Sequence, residues 1–264
     1  METGTERLLG RKDGAIGWVI FNHPERRNAI SSEMWRAIPP LLAGYDADPE
    51  VRVVVFAGAG DKAFVSGADI SQFESERANR EANDLYTAQS AAAVRALVQL
   101  QKPSIAMIRG FCIGGGLAVA LNCDLRIAAE DARFAIPAAR LGLGYNFEGV
   151  RRLVDVVGPA YAGEILFTAR QLDASEAQRC GLVNRVVPVA ELEAALRVTA
   201  NQIAENAPLT IRASKLAIQE ALKDPERRKL DRLEAAVAAC FDSADYAEGR
   251  RAFLEKRKPR FEGR

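Results

Sequence analysis

A run of three glycines between two apolar segments constrains this chain more than any other feature. Residues 114–116 are all glycine, an apolar run precedes them from Ser104 to Ile108, and a second apolar run continues to Leu121. Glycine has no Cβ, so the backbone can turn sharply there and its N–H groups can approach a ligand closely. The stretch predicts a strand, a glycine turn and a buried helix.

An N–H group at the start of such a helix lies at the positive end of the helix dipole. That position suits an anion, or an oxygen on which negative charge develops during a reaction. A glycine turn of this kind is by itself more often a packing device, and it matches neither of the phosphate-binding glycine patterns. A second turn of small residues, Ser66, Gly67 and Ala68, follows the predicted strand from Val51 to Phe56. Two such turns can supply one N–H group each.

Four segments of the chain, in this order, resemble the crotonase (enoyl-CoA hydratase/isomerase) superfamily. They are residues 21–30, 62–70, 108–124 and 252–258. Alternating strand and helix patterns predict an α/β fold with a largely parallel sheet and ligands at the carboxyl ends of the strands. The resemblance implies more, namely a crotonase-like spiral of strand-helix units over residues 1–200 and a C-terminal helical trimerisation region over residues 201–264.

Composition limits the partners that this chain is expected to have. The 264 residues include 36 basic and 35 acidic ones, so no global charge suggests a nucleic acid or a membrane. The four cysteines lie far apart without metal-ligand spacing, which favours reduced, buried thiols and no metal site. The N-terminus lacks the apolar core of a secretory signal, and no apolar run approaches the length of a bilayer span. We therefore expect a cytoplasmic protein.

Apolar runs and breaker residues predict the elements. The predicted strands are residues 15–21, 51–57 and 104–108, with a strand or extended link at 182–187. The first predicted helix starts at Ser31 or Ser32 and runs to Gly44, and the second covers residues 85–100. Further helices begin at Val150 and at Pro159, and another covers residues 174–180. From Val189 onward the pattern is helical, with breaks near Pro208, Asp224 and Ser243. Pro39 and Pro40 should bend or split the first helix. The polar segment from Asp69 to Asn83 is expected to be mobile.

The resemblance implies that the N–H groups of Ala68 and Gly115 form an oxyanion hole for the carbonyl oxygen of a thioester. It also implies an acyl-CoA substrate with no separate cofactor, coenzyme A being part of the substrate, and a homotrimer or a dimer of trimers. Phe253 and Lys256 match family positions that reach coenzyme A across a subunit boundary. The residues expected around the substrate are Arg26, Arg27, Ala29, Ser66, Asp69, Ile70, Gly114, Ala138, Asn146, Phe253 and Lys256. Alternatively, Arg26 and Arg27 are solvated surface residues and Asp69 is a helix cap. The only histidine, His23, is expected to be structural.

Two alanines separate this chain from the hydratases that it resembles. Those enzymes carry one glutamate in the first turn after the glycine triplet and another shortly after a downstream proline, where this chain has Ala118 and Ala138. Because alanine cannot hold a proton, it cannot act as a general acid or base. The sequence therefore argues against hydration by the two-glutamate route.

The loop after Ala138 offers substitutes in Tyr145 and Glu148. This loop and the C-terminal half resemble methylmalonyl-CoA decarboxylase, although Ala68 stands where that enzyme has a histidine. Loss of CO₂ gives the enolate without a base, so the sequence favours a decarboxylating lyase in which Tyr145 orients the carboxylate. The alternatives are a divergent enoyl-CoA hydratase or isomerase that uses Glu148, and a non-catalytic acyl-CoA-binding protein. The structural alternatives are that Tyr145 is a core aromatic residue and that Glu148 is an exposed loop carboxylate paired with Arg151 or Arg152.

Overall fold

The computed structural model describes residues 3–69 and 80–264, and these form the predicted α/β fold. The strands are β1 Leu8–Asp13, β2 Ile16–Phe21, β3 Val53–Gly58, β4 Ala63–Val65, β5 Ser104–Ile108, β6 Phe111–Ile113, β7 Leu125–Ala129, β8 Arg133–Ala135, β9 Leu172–Asp173 and β10 Arg185–Val187. The helices are α1 Ser32–Ala47, α2 Arg80–Gln99, α3 Gly115–Asn122, α4 Phe147–Thr168, α5 Ala174–Arg179, α6 Leu192–Ala204, α7 Pro208–Ala221, α8 Leu230–Phe241 and α9 Ala244–Leu254.

The described strands form two sheets. The larger has the order β1-β2-β3-β5-β7-β10 and is parallel except for the β1–β2 hairpin. The smaller has the order β4-β6-β8-β9, in which β4, β6 and β8 are parallel and β9 is antiparallel to β8. Consecutive parallel strands alternate between the sheets, so the chain winds from one sheet to the other, and the carboxyl ends of β4 and β6 meet at one edge.

Apolar side chains cover both faces of the larger sheet. One core cluster includes Phe21 and Phe56 from the sheet together with Tyr45 from α1, all fully buried. A second cluster, on the opposite face, packs residues such as Val55 against Leu196 of α6. A parallel sheet buried on both faces explains why its strands appear in the sequence as continuous apolar runs.

Helix α1 remains a single helix although Pro39 and Pro40 lie within it, so the predicted split is wrong. Each proline removes one backbone hydrogen bond. The helix nevertheless buries Met34, Trp35 and Ile38 among its eight buried residues. Tertiary packing of an apolar face, rather than local hydrogen bonding, is what holds most helices in proteins. At its start, the Ser31 side chain accepts a hydrogen bond from the Met34 N–H group, as a helix cap does.

Most of the other predicted elements are confirmed with shifted ends. Strand β5 has the predicted bounds, α2 begins at Arg80 rather than at residue 85, and Asp173 caps α5 through a reciprocal capping box. The predicted interruption before Pro159 is a kink at Gly158, whose φ of 74° is not helical. Strand β1 and the whole smaller sheet are absent from the sequence-based prediction. Residues 70–79, most of the segment expected to be mobile, lie outside the described residues.

The C-terminal helices are tied to the rest of the chain by buried polar groups. The Lys215 ammonium of α7 donates hydrogen bonds to the Asp124 carboxylate (2.7 Å) and to the Lys102 carbonyl (2.9 Å). The buried Asp245 carboxylate of α9 accepts hydrogen bonds from the N–H groups of Glu262 and Gly263. The division at residue 200 stays a prediction, and α6 spans it.

Cys112, Cys123 and Cys180 are buried, Cys240 is partly exposed, and none of them is in a disulfide. Burial raises the pKa of the Cys123 thiol to about 12. Across residues 3–69 and 80–264, no helix is long and apolar enough to cross a membrane, and no group of three or more potential metal ligands comes together.

Candidate active site

The two small-residue turns lie side by side because the strands that precede them are neighbours. In the β4–β6 pair, Val65 is the partner of Cys112. Ala68 and Gly115 each lie three residues beyond these partners. The pairing register of two short strands therefore brings together two segments that are 47 residues apart in the sequence.

The backbone nitrogens of Ala68 and Gly115 are close to each other. A Cβ placed on Gly115 would lie 4.0 Å from the Ala68 nitrogen. Since a Cβ lies about 2.5 Å from the nitrogen of its own residue, the two nitrogens are at most about 6.5 Å apart. Within the described part of the chain, neither nitrogen donates a hydrogen bond to another backbone group.

Backbone hydrogen bonds of the residues next to Ala68 fix the turn, and the N–H group of Ala68 takes part in none of them. The Ile30 N–H group donates to the Gly67 carbonyl (2.8 Å), and the Asp69 N–H group donates to the Ile30 carbonyl (3.1 Å). Gly67 has a φ of 115° and Gly114 a φ of 53°, a region that favours glycine. Gly115 is the first residue of α3, where a free N–H group is normal.

The third glycine of the triplet serves packing. A Cβ on Gly116 would lie 2.4 Å from the Val65 carbonyl oxygen, whereas a Cβ on Gly115 would have its nearest neighbour at 3.6 Å. The close contact at Gly116 lets α3 lie directly against β4.

We expect Gly116→Ala to lower the free energy of unfolding by about 3 kcal/mol, because the added methyl group forces α3 away from β4. Gly115→Ala is the matched control and should stay within about 0.5 kcal/mol of the unmodified protein. Urea unfolding of the three proteins measures the difference. Equal stability of the two variants would contradict the assigned packing.

Two arginines hold the C-terminal end of α3. The Arg126 guanidinium is buried and donates to the carbonyls of Cys123 (2.7 Å) and Leu182 (2.7 Å), and Arg152 donates to the Leu121 carbonyl. Cations at this end of a helix complement its dipole. Sequence reasoning missed Arg126, although it is the only charged residue in the apolar run of β7.

Neither alanine that replaces a hydratase glutamate offers a proton-transfer group. Ala118 lies in the first turn of α3, and its N–H group donates to the Gly114 carbonyl (2.9 Å). Ala138 is half-buried and packs against the main core cluster. Any general acid or base at this site must come from another residue.

Residues 145–148 form the start of α4. The Asn146 side chain accepts a hydrogen bond from the Gly149 N–H group (2.8 Å) and so caps the helix, a role that the sequence did not predict. A Cβ on Gly149 would lie 2.6 Å from the Tyr145 ring, which is half-buried against this turn. Burial raises the pKa of the Tyr145 hydroxyl, which therefore stays protonated at neutral pH.

Glu148 is exposed in the first turn of α4. The alternative that paired it with Arg151 or Arg152 is wrong, because Arg151 lies near Asp224 (3.4 Å) and donates to the Leu222 carbonyl, while Arg152 donates to Leu121. Among the described side chains, none forms an ion pair with Glu148. The part of that alternative that made Glu148 an exposed carboxylate is confirmed.

One of the predicted coenzyme A contacts, Arg27, lines a cavity of about 260 Å³. Its walls are Pro24, Glu25, Arg27, Asn28, Ala59, Asp61, Lys62 and Ala63. The Arg27 guanidinium also lies 5.0 Å from the centre of the Phe111 ring. Lys62 adds a second cation that the list of predicted contacts lacked. Arg26 is exposed outside this wall, although the Ser66 hydroxyl donates to its carbonyl (3.3 Å).

The other predicted contacts are not gathered at this cavity. Ala29 and Asp69 are buried, and Ile70 lies outside the described residues. Phe253, 84 % exposed, ends α9 with Leu254, and Lys256 follows with a φ of 54°. His23 is buried with its Nε2 atom 3.2 Å from the Glu25 carboxylate, in agreement with a structural role.

Known proteins resemble the chain over nearly its whole length. The enoyl-CoA hydratase/isomerase family model matches residues 11–264. A short-chain-enoyl-CoA hydratase from Clostridium acetobutylicum is 37 % identical over 251 residues, which are 95 % of each chain. A crotonyl-CoA hydratase from Syntrophomonas wolfei is 36 % identical, over 97 % of this chain and 98 % of its own. The crystal structure of an enoyl-CoA hydratase/carnithine racemase from Magnetospirillum magneticum superposes with a TM-score of 0.91 at 38 % identity, over 98 % of this chain and 97 % of its own.

These relatives overturn the expectation of a decarboxylating lyase. The most similar ones are named as hydratases, and the specific likeness to methylmalonyl-CoA decarboxylase is not supported. The apolar positions of Ala118 and Ala138, from which decarboxylation was inferred, are equally compatible with a proton-transfer group on a different element. The family model matches residues 11–264, and the turns after β4 and β6 lie next to each other. The chain therefore belongs to the enoyl-CoA hydratase/isomerase family.

Proposed function

We propose that this protein is an acyl-CoA enzyme that hydrates or isomerises an enoyl-CoA thioester. The observation that carries the proposal is the pair of neighbouring Ala68 and Gly115 nitrogens, which have no backbone acceptor among the described residues. Preorganised N–H groups of this kind stabilise negative charge on a carbonyl oxygen, and one such donor contributes about 3 kcal/mol of barrier lowering. The names of the relatives support a hydratase over an isomerase.

Hydration needs one group to move a proton. In the proposed reaction, Glu148 removes a proton from water, the hydroxide adds to the β-carbon, and the electrons of the double bond move into a thioester enolate held by Ala68 and Gly115. The proton then passes from Glu148 to the α-carbon, so the carboxylate is restored. The neutral Tyr145 hydroxyl, next to the same turn, donates a hydrogen bond to the water or to the carboxylate.

The coenzyme A part of the substrate is assigned to the cavity between residues 24–28 and 59–63. Arg27 and Lys62 supply cations that suit phosphate groups, beside the carboxylates of Glu25 and Asp61 in the same walls. Exposed aromatic side chains in contact on the C-terminal helices, Phe241 and Tyr246 with ring centres 5.4 Å apart, support a homo-oligomer, because contiguous exposed apolar surface marks an interface. In such an oligomer, Phe253 and Lys256 would complete the coenzyme A site of a neighbouring copy.

Incubation with crotonyl-CoA, followed by mass spectrometry of the thioester, tests the proposal. We expect a product heavier by one water molecule. With a 3-enoyl-CoA substrate, isomerisation gives a 2-enoyl-CoA of unchanged mass, which chromatographic separation from the substrate and the absorbance of the conjugated thioester detect. A panel of enoyl-CoA esters that bind but give no product would support the second candidate, an acyl-CoA-binding protein. That candidate is favoured by the two alanines at 118 and 138.

A further inference from the structure

An aromatic side chain of α1 lies against the proposed oxyanion donors. The Cζ2 atom of Trp35 is 3.6 Å from the position that a Cβ on Gly115 would take, and the Cδ1 atom of Ile30 is 3.9 Å from the same position. The Ala68 nitrogen is 4.0 Å from that position. The indole edge and one of the two donors therefore border the same small space beside Gly115.

The Trp35 indole has little freedom to move. It is 3 % exposed, and its Nε1–H group donates a hydrogen bond of 3.0 Å to the Tyr86 hydroxyl. Tyr86 lies on α2 and is also buried, so the bond joins two helices. Rotation of the indole would leave a buried N–H group without a partner, which is unfavourable. Trp35 thus forms a rigid surface rather than an adaptable one.

We propose that Trp35 limits the length of the acyl group that this enzyme accepts, so that its substrates are short-chain acyl-CoA esters. This inference rests on the proposed function, in which the thioester oxygen binds to Ala68 and Gly115. The acyl chain is bonded directly to the carbonyl carbon, so its first carbons must lie within a few bond lengths of those donors. A fixed indole at that distance leaves room for few carbons and closes the path to longer chains.

The competing explanation is that Trp35 only fills the core between α1 and α2. Tyr45 separates the two explanations, because it is also an aromatic residue of α1, is fully buried, and donates a hydrogen bond to the Trp18 carbonyl (2.6 Å). It lies ten residues beyond Trp35, or about 15 Å along the helix axis. A purely structural effect should follow both substitutions, whereas a change in substrate preference should follow one.

The test compares Trp35→Leu with Tyr45→Leu by measuring kcat/KM for crotonyl-CoA and for trans-2-decenoyl-CoA. We expect Trp35→Leu to raise the ratio for the longer over the shorter substrate by about tenfold or more, since removal of a pocket wall relaxes selection by size. Tyr45→Leu should leave the ratio within about twofold while lowering the melting temperature. Trp35→Phe replaces the indole by a smaller aromatic ring and should give an intermediate ratio. It replaces Trp35→Leu in this test if Trp35→Leu does not fold.

Calorimetric titration with butyryl-CoA and decanoyl-CoA, which lack the reactive double bond, separates this inference from the proposed function. If the unmodified protein binds neither ester, the proposed function fails. If it binds butyryl-CoA more tightly and Trp35→Leu removes that preference, the inference stands even without turnover. If a folded Trp35 variant keeps the chain-length preference of the unmodified protein in both assays, Trp35 does not set acyl length.

Discussion

Gly115→Pro is expected to lower kcat for crotonyl-CoA by about 10²- to 10³-fold, the effect of removing one oxyanion-hole donor. Proline has no N–H group, and Gly115 occupies the first position of α3, where proline is well tolerated and no intrahelical hydrogen bond is lost. The helix should therefore form while one of the two proposed donors disappears. Steady-state kinetics with crotonyl-CoA, together with thermal unfolding, measures the two effects separately.

Gly115→Ala is the matched control, because it adds a methyl group with no neighbour closer than 3.6 Å and keeps the N–H group. We expect this variant to keep kcat within about tenfold of the unmodified protein and to raise KM, because the methyl group enters the space beside Trp35. Binding of butyryl-CoA to Gly115→Pro tests whether the proline ring merely blocks the site. A folded proline variant with full activity would show that the Gly115 nitrogen does not hold the thioester oxygen.

Glu148→Gln is expected to lower kcat by about 10²- to 10⁴-fold, the range of a lost general acid or base. Because Glu148 is exposed and forms no ion pair among the described residues, the melting temperature should not change. Glutamine has the same shape but cannot hold the proton. The measurement is kcat for crotonyl-CoA across the neutral pH range. We expect the Glu148→Gln variant to lack, throughout this range, the activity that depends on the Glu148 carboxylate.

Asp155→Asn is the matched control for Glu148, since it removes another exposed carboxylate from α4 and should leave kcat unchanged. Tyr145→Phe should reduce kcat less than Glu148→Gln does, because it removes a hydrogen-bond donor and leaves the base in place. Unaltered hydration by Glu148→Gln would assign proton transfer to a different group. If Glu148→Gln loses hydration, Ala118→Glu in that background restores a carboxylate near Gly115 and should recover activity when the donors at Ala68 and Gly115 act as proposed.

The sequence predicted the parts of the fold that local patterns govern. Strand β5 and the capped helix α5 are set by short apolar runs and by an Asp–Glu capping box, and both are confirmed. The turns at Ala68 and Gly115 were predicted from their small residues and from the family resemblance, and their oxyanion role stays a proposal. Their adjacency, in contrast, depends on the β4–β6 register, which no local pattern reveals.

Other parts of the site depend on contacts between distant segments. The separation of strands into two sheets follows from which three-residue strands pair, and such strands carry little periodic signal. Pro39 and Pro40 were expected to split α1, but burial of its apolar face outweighs the two missing hydrogen bonds. The contact of Trp35 with Gly115 joins residues 80 positions apart, so only the three-dimensional structure can relate them.

The register between β4 and β6 also bears on how this scaffold can be redesigned. Neighbouring strands are about 4.8 Å apart whatever side chains they carry, so the spacing of the amides at 68 and 115 is inherited from the backbone of a sheet. Ala138, Tyr145 and Glu148 lie on other elements, and Ala118 shares α3 with Gly115. Exchanging their side chains leaves the backbone that sets this spacing unchanged. If the amides at 68 and 115 act as proposed, libraries that vary these four positions should yield catalysts for different thioester reactions while the two amides stay in register.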